Sequence, residues 1–281
     1  MNTIDPPSLS RPRPDNECAL AKDSAHVGGS HPPRVTRVLV TGASGYLGRT
    51  LSEVLSEGFD VIRMDTAEAA GPGEFLHGSI TDRSVLDAAC AGADVLVLAH
   101  MASTRTNAYE WPDACMDVNV KGVALALEAA ARNKIKRVVL ISSISVVWGH
   151  VLDKTFLTSD LPPYPTDAYG MTKTLQEQIA RFYSQIRGLE VAVLRPAYIL
   201  REDSLVNKYG QNIQTVTWQC IDPRDIGQAV IAAINAPDLK FETFYMIAGP
   251  GAERCADIDS AKSRLGWNPK HRFEGIEIEE I

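Results

Sequence analysis

The sequence lacks any apolar run of the roughly 18 residues that a membrane-spanning helix needs. It also lacks a basic excess, since 28 Lys and Arg stand against 35 Asp and Glu, for a net charge of −7. These absences argue against a membrane protein and against a polyanionic partner. We therefore expect neither a membrane nor a nucleic acid among its partners.

Cysteine is scarce, with five in 281 residues, and no pair has Cys-x-x-Cys spacing. An odd number of scattered cysteines argues against a disulfide framework and against a zinc site. The pattern favours a reducing compartment. We expect a cytoplasmic protein without a bound metal.

Residues 1–34 differ in composition from the rest of the chain. They contain six prolines, little apolar sequence and no apolar segment of the kind found in secretory signals. We expect a disordered or mobile N-terminal tail. A segment that covers a neighbouring subunit or the edge of an active site is the alternative. Residues 35–281 then form a single domain.

Strand and helix patterns alternate from residue 36 onward, which predicts an α/β fold with a doubly wound parallel sheet. Two of the strands are continuously apolar, as strands buried on both faces are. Ligands of such sheets bind beyond the carboxyl ends of the strands. The predicted strands are 36–41, 59–64, 94–99, 136–142, 190–194 and 243–247, and the predicted helices are 46–57, 82–90, 112–132, 167–187 and 223–235.

Residues 37–48 carry the clearest motif, a strand followed by three glycines and the start of an amphipathic helix. Gly42 permits a tight turn, Gly45 allows the backbone to approach a phosphate, and Gly48 allows the helix to pack closely. The N-terminus of the helix then offers free N–H groups and a partial positive charge. The motif predicts a site for a dinucleotide pyrophosphate.

Asp65 ends the second predicted strand, 17 residues after Gly48. A carboxylate at this position accepts hydrogen bonds from a ribose diol and repels a 2′-phosphate, which favours NAD over NADP. The alternative for Asp65 is a cap or turn residue. Arg63, on the same face of the strand, leaves NADP possible as the cofactor.

Tyr169 and Lys173 are four residues apart and share one face of a predicted helix. A nearby ammonium lowers the pKa of a phenol, which can then exchange a proton with a substrate alcohol. Upstream, a buried strand ends in the hydroxyls of Ser142 and Ser143. A serine there can orient the reacting oxygen toward the tyrosine.

Together these motifs resemble the extended short-chain dehydrogenase/reductases, the NAD-dependent epimerase/dehydratase family. The resemblance covers residues 35–270 and implies a Rossmann fold, a bound NAD or NADP, and a Ser–Tyr–Lys active site. It rests on Thr-Gly-Ala-Ser-Gly-Tyr-Leu-Gly (41–48), Asp65, Leu-Ala-His-Met-Ala-Ser (98–103), Asn-Val-Lys-Gly (119–122), Ser142-Ser143, Tyr169 with Lys173, and Leu-Arg-Pro (194–196).

By position, the resemblance makes Tyr169 the acid/base, Lys173 the residue that holds the nicotinamide ribose, and Ser143 the catalytic hydroxyl. Counting back from Trp148-Gly149 places that hydroxyl on Ile144 instead, and Ser145 is the alternative serine. His100 is interpreted as a substrate-contacting or titrating group, or as a packed or exposed histidine without a catalytic role. The implied cofactor residues are Gly42, Ser44, Gly45, Tyr46, Leu47, Asp65, Ser79, Ile80, Ala99, His100, Met101, Asn119 and Lys173.

The substrate-binding portion is expected mainly from residues 197–222 and 243–275. The compact plan is similar to that of uronate dehydrogenases, with Ser103, Ser145 and Arg195 as candidate substrate contacts. Arg195 paired with a neighbouring carboxylate is the competing interpretation.

The main functional prediction is an NAD(P)-dependent oxidoreductase that acts on a small sugar, sugar acid or similar polar metabolite. A sugar epimerase with tightly bound NAD, and a non-catalytic NAD(P)-binding sensor or scaffold, are the alternatives. A dehydratase is disfavoured because Ile144-Ser145 replaces the Asp-Glu pair of those enzymes. The resemblance also implies a homodimer through the helices near 112–132 and 167–187.

Overall fold

A computed structural model describes residues 35–102 and 112–279 of the chain. The tail predicted over residues 1–34, and Ser103, lie outside the described residues. The strands are β1 Arg37–Thr41, β2 Asp60–Asp65, β3 Glu74–His77, β4 Val95–Leu98, β5 Arg137–Ile141, β6 Glu190–Pro196, β7 Tyr198–Ile199, β8 Cys220–Ile221 and β9 Phe241–Met246. The α-helices are α1 Tyr46–Leu55, α2 Arg83–Ala91, α3 Pro112–Cys115, α4 Gly122–Arg132, α5 Trp148–Leu152, α6 Ala168–Arg187, α7 Pro223–Asn235 and α8 Asp259–Leu265.

The main sheet has the strand order β3-β2-β1-β4-β5-β6-β9, and all its neighbouring pairs are parallel. This order confirms the predicted Rossmann-type doubly wound sheet. The chain leaves β1 for β2 on one side and later returns to place β4 on the other side. The crevice between the carboxyl ends of β1 and β4 is therefore the expected ligand site.

Two apolar cores cover the two faces of this sheet. In β1, Val38 and Val40 pack into one core with helices α1 and α7, whereas Leu39 packs into the other with α4. Because successive strand residues point to opposite faces, a continuous apolar run is what a doubly covered strand requires. This explains why the sequence pattern located the central strands well.

Several local features depart from the predicted pattern. The single helix predicted over 112–132 is interrupted by a π-helical segment, Met116–Lys121, between α3 and α4. The strand predicted at 243–247 occupies Phe241–Met246 at the edge of the sheet. The edge strand β3, the short β7–β8 pair and helix α8 were not predicted.

In the described ranges, no helix is both long and apolar enough to cross a membrane. Cys90, Cys115, Cys220 and Cys255 are free thiols, and the described residues hold no cluster of side chains able to bind a metal ion.

Candidate functional site

A cavity of 1090 Å³ opens at the carboxyl edge of the sheet, above β1, β4 and β5. The three predicted catalytic residues, Ser143, Tyr169 and Lys173, all line it, as does Ser145. Of the predicted cofactor residues, those that line the cavity are Gly42, Ser44, Gly45, Tyr46, Leu47, Asp65, Ser79, Ile80, Ala99, His100, Met101 and Lys173.

The glycine turn forms one end of this cavity. Gly42 has φ +70°, and a Cβ there would lie 2.6 Å from the Cα of His100, so both the backbone and the space require glycine. A Cβ on Gly48 would overlap the carbonyl oxygen of Gly42, which shows that Gly48 packs against the turn itself. Gly45 begins α1 without a side-chain cap, so the first N–H groups of the helix face the cavity unpaired.

Asp65 lies at the end of β2 beside this turn. Its carboxylate accepts hydrogen bonds from the backbone N–H of Ser44 at 3.0 Å and of Ala67 at 3.2 Å. Arg63 is buried behind the strand, where it donates to the carbonyl of Ala69 and stacks over the ring of Phe75. Arg63 does not line the cavity, so its placement gives no support to a 2′-phosphate contact.

Ser79 and Ile80 follow β3 at the far wall of the same end. The hydroxyl of Ser79 shares a 2.8 Å hydrogen bond with that of Thr81, and Ile80 is buried against α4. An aliphatic surface next to a fixed hydroxyl suits a purine ring, in keeping with the cofactor role that the resemblance implies for these two positions.

His100 is buried at the carboxyl end of β4, between Ala99 and Met101. Its Nδ1 lies 2.9 Å from the hydroxyl of Thr41. Burial, together with the positive charge of Lys173, lowers the pKa of His100 to about 3. The expectation of a titrating group is therefore corrected: His100 is neutral near pH 7, and it forms part of the cavity wall.

Tyr169 and Lys173 lie on the first two turns of α6, with the ammonium 5.8 Å from the centre of the phenol ring. Lys173 donates to the carbonyl of Ile141 at 2.8 Å, and burial lowers its pKa to about 7. Burial raises the pKa of Tyr169 to about 12, against a side-chain hydrogen bond with Ser143 that lowers it. Ser143 is thus one group that opposes the rise.

Ser143 lies two residues after β5 and caps a short 3₁₀-helix over Ile144–Val147. Its hydroxyl donates to that of Ser145 at 3.1 Å, and both hydroxyls line the cavity. Ile144 packs in an apolar cluster and also borders the cavity, but it carries no hydroxyl. Gly170 allows α6 to pack closely against this 3₁₀-helix, because a Cβ on Gly170 would lie 2.5 Å from the carbonyl oxygen of Ser145. The geometry thus favours Ser143 for the position beside Tyr169.

Asn119 is placed away from the cavity wall, so the predicted cofactor contact is corrected. It lies in the π-helical segment, and its side chain accepts from the backbone N–H of Ala102 and donates to Thr172. Its own carbonyl accepts from Gln176 at 2.8 Å. Asn119 therefore joins the end of β4 to α6, and the extra backbone unit of the π-helix turns its carbonyl toward that helix.

Arg195 also differs from its prediction as a substrate contact. It is buried, it does not line the cavity, and it forms a bidentate ion pair with Glu177 at 2.9 and 2.7 Å. Its third nitrogen donates to the hydroxyl of Tyr245, and Glu177 also accepts from Ser142. The competing interpretation, a pair with a neighbouring carboxylate, is the one that the structure supports.

Comparison with known proteins agrees with this architecture. Residues 38–200 match the NAD dependent epimerase/dehydratase family. The chain belongs to that family. It is 30% identical over 246 residues to a uronate dehydrogenase of Pseudomonas putida, covering 85% of each chain. It is 27% identical to an L-arabinose 1-dehydrogenase (NAD(P)(+)) of Haloferax volcanii, covering 84% of this chain and 97% of that one.

Among solved structures, a uronate dehydrogenase variant from Agrobacterium tumefaciens complexed with NAD superposes with a TM-score of 0.67. It is 25% identical and 84% of each chain is covered. Membership of this family confirms the predictions of an enzyme and of an NAD(P) cofactor.

The described residues fit a dinucleotide. The hydroxyl of Ser44 and Nε2 of His100 are buried, and neither makes a hydrogen bond with another described residue. The cradle beneath them is backbone that a Cβ at Gly42 or Gly48 would fill. Polar atoms left unpaired in a glycine-lined cavity are typical of a surface that a polar ligand completes.

Sequence reasoning missed several residues at the other end of the cavity. The prediction pointed to residues 197–222 without naming side chains within them. A tryptophan on α5 was overlooked as well. These missed lining residues are Trp148, Tyr198, Asn207, Lys208, Tyr209 and Gln219.

Proposed function

We propose that this enzyme is a dehydrogenase that transfers hydride between NAD and a hydroxyl-bearing carbon of a monosaccharide or sugar acid, within one catalytic domain over residues 35–281. The observation that carries the proposal is the placement of Ser143, Tyr169 and Lys173 together on the wall of the dinucleotide cavity. The names of the relatives, a uronate dehydrogenase and an arabinose dehydrogenase, support this substrate class.

When bound, NAD supplies the hydride acceptor. The glycine turn and the first turn of α1 would hold its pyrophosphate, and Asp65 its adenosine ribose. Asp65 supports a preference for NAD over NADP, because its charge repels a 2′-phosphate.

The chain's own residues handle the proton. Ser143 holds the substrate hydroxyl beside Tyr169, and the phenolic oxygen takes the proton as the alcohol becomes a carbonyl. Since burial holds the pKa of Tyr169 at about 12, the phenolate needs support. Ser143 supplies it by hydrogen bonding, and the ammonium of Lys173 would supply it by its charge once the ligands exclude water.

The predicted homodimer and cytoplasmic location belong to the same proposal. Exposed apolar side chains support the dimer, since Met171, Phe182 and Ile186 lie along α6 and Met116 lies on the adjacent π-helical segment. Sedimentation velocity of the wild type and of Phe182→Glu with Ile186→Glu tests it. A monomeric wild type would contradict the dimer.

The direct test of the activity is absorbance of reduced nicotinamide, with NAD or NADP and a panel of aldoses, uronic acids and polyols. We expect steady NADH formation with a sugar or sugar acid. Tyr169→Phe should lower kcat by about 10²- to 10⁴-fold, the usual contribution of a general acid/base, without weakening NAD binding. Full activity in that variant would contradict the mechanism.

The same assay separates the alternatives. If the protein interconverts epimers without net NADH formation and retains NAD through purification, it is an epimerase and not a dehydrogenase. NAD binding without turnover of any substrate would favour the sensor or scaffold.

A further inference from the structure

The loop between β7 and β8 closes the substrate end of the cavity. Bridges from Leu200 to Asn207 and from Val206 to Asn212 fold it into a short hairpin. The hydroxyl of Tyr46, on the first turn of α1, donates to the carbonyl of Val206 at 3.0 Å. The loop is thereby attached to the glycine turn.

Asn207 fixes the conformation of the hairpin tip. It is 4% exposed, and its amide nitrogen donates to the hydroxyl of Tyr198 and to Gln211. Its amide oxygen accepts from the backbone N–H groups of Tyr209 and Gln211. The backbone on both sides of Lys208 is therefore held in place over the cavity.

Lys208 brings a positive charge to this end of the cavity. Its ammonium lies 5.0 Å from the centre of the Tyr209 ring, and it forms no ion pair with another described residue. It is close enough to Lys173 to contribute to the lowered pKa of that residue. Lys208 and Lys173 both line the cavity, and an anion bound there would relieve the repulsion between their positive charges.

The described carboxylates on the cavity wall do not neutralise this charge. Asp65 lies at the glycine turn and is hydrogen bonded to backbone N–H groups. Asp167 caps α6 by accepting from the backbone N–H of Gly170 at 2.6 Å. Neither carboxylate therefore forms an ion pair with Lys208.

Gln219 gives an independent indication of a polar ligand. Its backbone is fixed, because its carbonyl accepts from the N–H of Tyr198 at 2.9 Å and its own N–H donates to Thr217. Its side chain is 8% exposed and lines the cavity, and its amide makes no hydrogen bond with the described residues. An unpaired amide on a cavity wall is free to donate to a polar ligand and to accept from it.

We propose that Lys208 and Gln219 form the subsite for the part of the substrate that lies away from the reacting carbon, and that this subsite selects a monosaccharide bearing a carboxylate. Lys208 binds the carboxylate, and Gln219 binds a hydroxyl. The inference rests on the proposed function and narrows it from sugars in general to sugar acids.

Binding to an inactive complex tests the subsite without requiring turnover. The Tyr169→Phe protein, saturated with NAD, is titrated calorimetrically with D-galacturonate and with D-galactose. The two sugars differ in one group, which is a carboxylate in galacturonate and a hydroxymethyl group in galactose. The same titrations follow with Lys208→Met, Lys208→Arg and Gln219→Leu added. Lys240→Met, an exposed lysine before β9, is the matched control.

We expect galacturonate to bind more tightly than galactose, and Lys208→Met to weaken galacturonate by about 10- to 100-fold, as loss of a charged hydrogen bond does. Galactose affinity should change less than about twofold. Lys208→Arg and Lys240→Met should retain the preference. Gln219→Leu should weaken both sugars alike.

Equal affinities for the two sugars, no binding of either sugar, or a preference that survives Lys208→Met would overturn the proposal. So would a loss of NAD affinity in Lys208→Met without a change in the sugar preference, since Lys208 would then contact the phosphates. Failure of the proposed function gives a different result: galacturonate binds through Lys208, but the wild type reduces no NAD.

Discussion

The two ends of the cavity differ in whether backbone or side chains form the wall. At the cofactor end the wall is largely backbone, formed by the turn at Gly42 and the first turn of α1. At the substrate end the wall is made of side chains, notably Lys208 and Gln219, carried by a long loop. A backbone wall requires glycine at fixed positions, so it leaves a sequence motif. A side-chain wall requires only that a loop return to the right place.

Two buried cationic side chains, Lys173 and Arg195, also differ in whether they line the cavity. Lys173 lines the cavity and has a neutral partner, the carbonyl of Ile141. Arg195 lies behind the wall and is neutralised by Glu177. Both side chains are buried, yet only Lys173 is on the cavity wall. A cation in the right sequence position is thus no guide to ligand binding until its partners are known.

The largest effect on stability is expected from breaking the buried ion pair between Arg195 and Glu177. Arg195→Met leaves the Glu177 carboxylate buried without its partner, which should cost about 3–5 kcal/mol of unfolding free energy. Chemical denaturation measures this cost. Arg195→Met combined with Glu177→Gln should be less destabilised, because neither charge remains. A stable Arg195→Met protein with a raised KM for substrate would instead indicate that Arg195 contacts the substrate.

At the cofactor end, Gly42→Ala should disturb the backbone wall. The left-handed conformation costs a residue with a Cβ about 1–2 kcal/mol, and contact with the backbone of His100 adds to it. We expect NAD affinity, measured by fluorescence titration, to fall by more than about tenfold. Gly58→Ala, where a Cβ meets open space, is the control. Unchanged NAD binding in Gly42→Ala would show that the turn at Gly42 does not contact NAD.

Asp65→Asn sharpens the assignment of the cofactor. The amide keeps the shape of the side chain but no longer repels a 2′-phosphate, so the ratio of kcat/KM for NAD to that for NADP should fall by about tenfold. Asp60→Asn, at the exposed start of the same strand, should leave the ratio unchanged. A ratio that does not move in Asp65→Asn would mean that the carboxylate only shapes the turn.

The smallest effect is expected at the cap of the catalytic helix. Asp167→Ala removes the acceptor for the N–H of Gly170, which should cost about 1 kcal/mol and loosen the turn that carries Tyr169. We expect kcat to fall several-fold with little change in NAD affinity. Asp82→Ala removes the cap of α2 in the same way, away from the cavity. Equal losses of kcat in both variants would show a general effect of stability.

The buried strands and the long amphipathic helices could be predicted because their residues must satisfy a simple periodicity. β3 escaped prediction because its burial pattern is partial, and α8 because it is only seven residues long. The π-helical segment was not predicted, because the sequence over 112–132 is compatible with one continuous helix. Its reason is tertiary: the carbonyl of Asn119 meets Gln176 of α6.

The sequence by itself determined the Rossmann-type sheet, the glycine turn, Asp65 at the end of β2 and the pairing of Tyr169 with Lys173 on one helix. Each depends on residues close together in the chain, where periodicity and glycine geometry act directly. Only the tertiary structure decided that Arg195 is neutralised, that Asn119 supports α6, that burial holds His100 neutral, and that Lys208 and Gln219 line the cavity. Those outcomes depend on partners and burial contributed by distant segments, which no local pattern records.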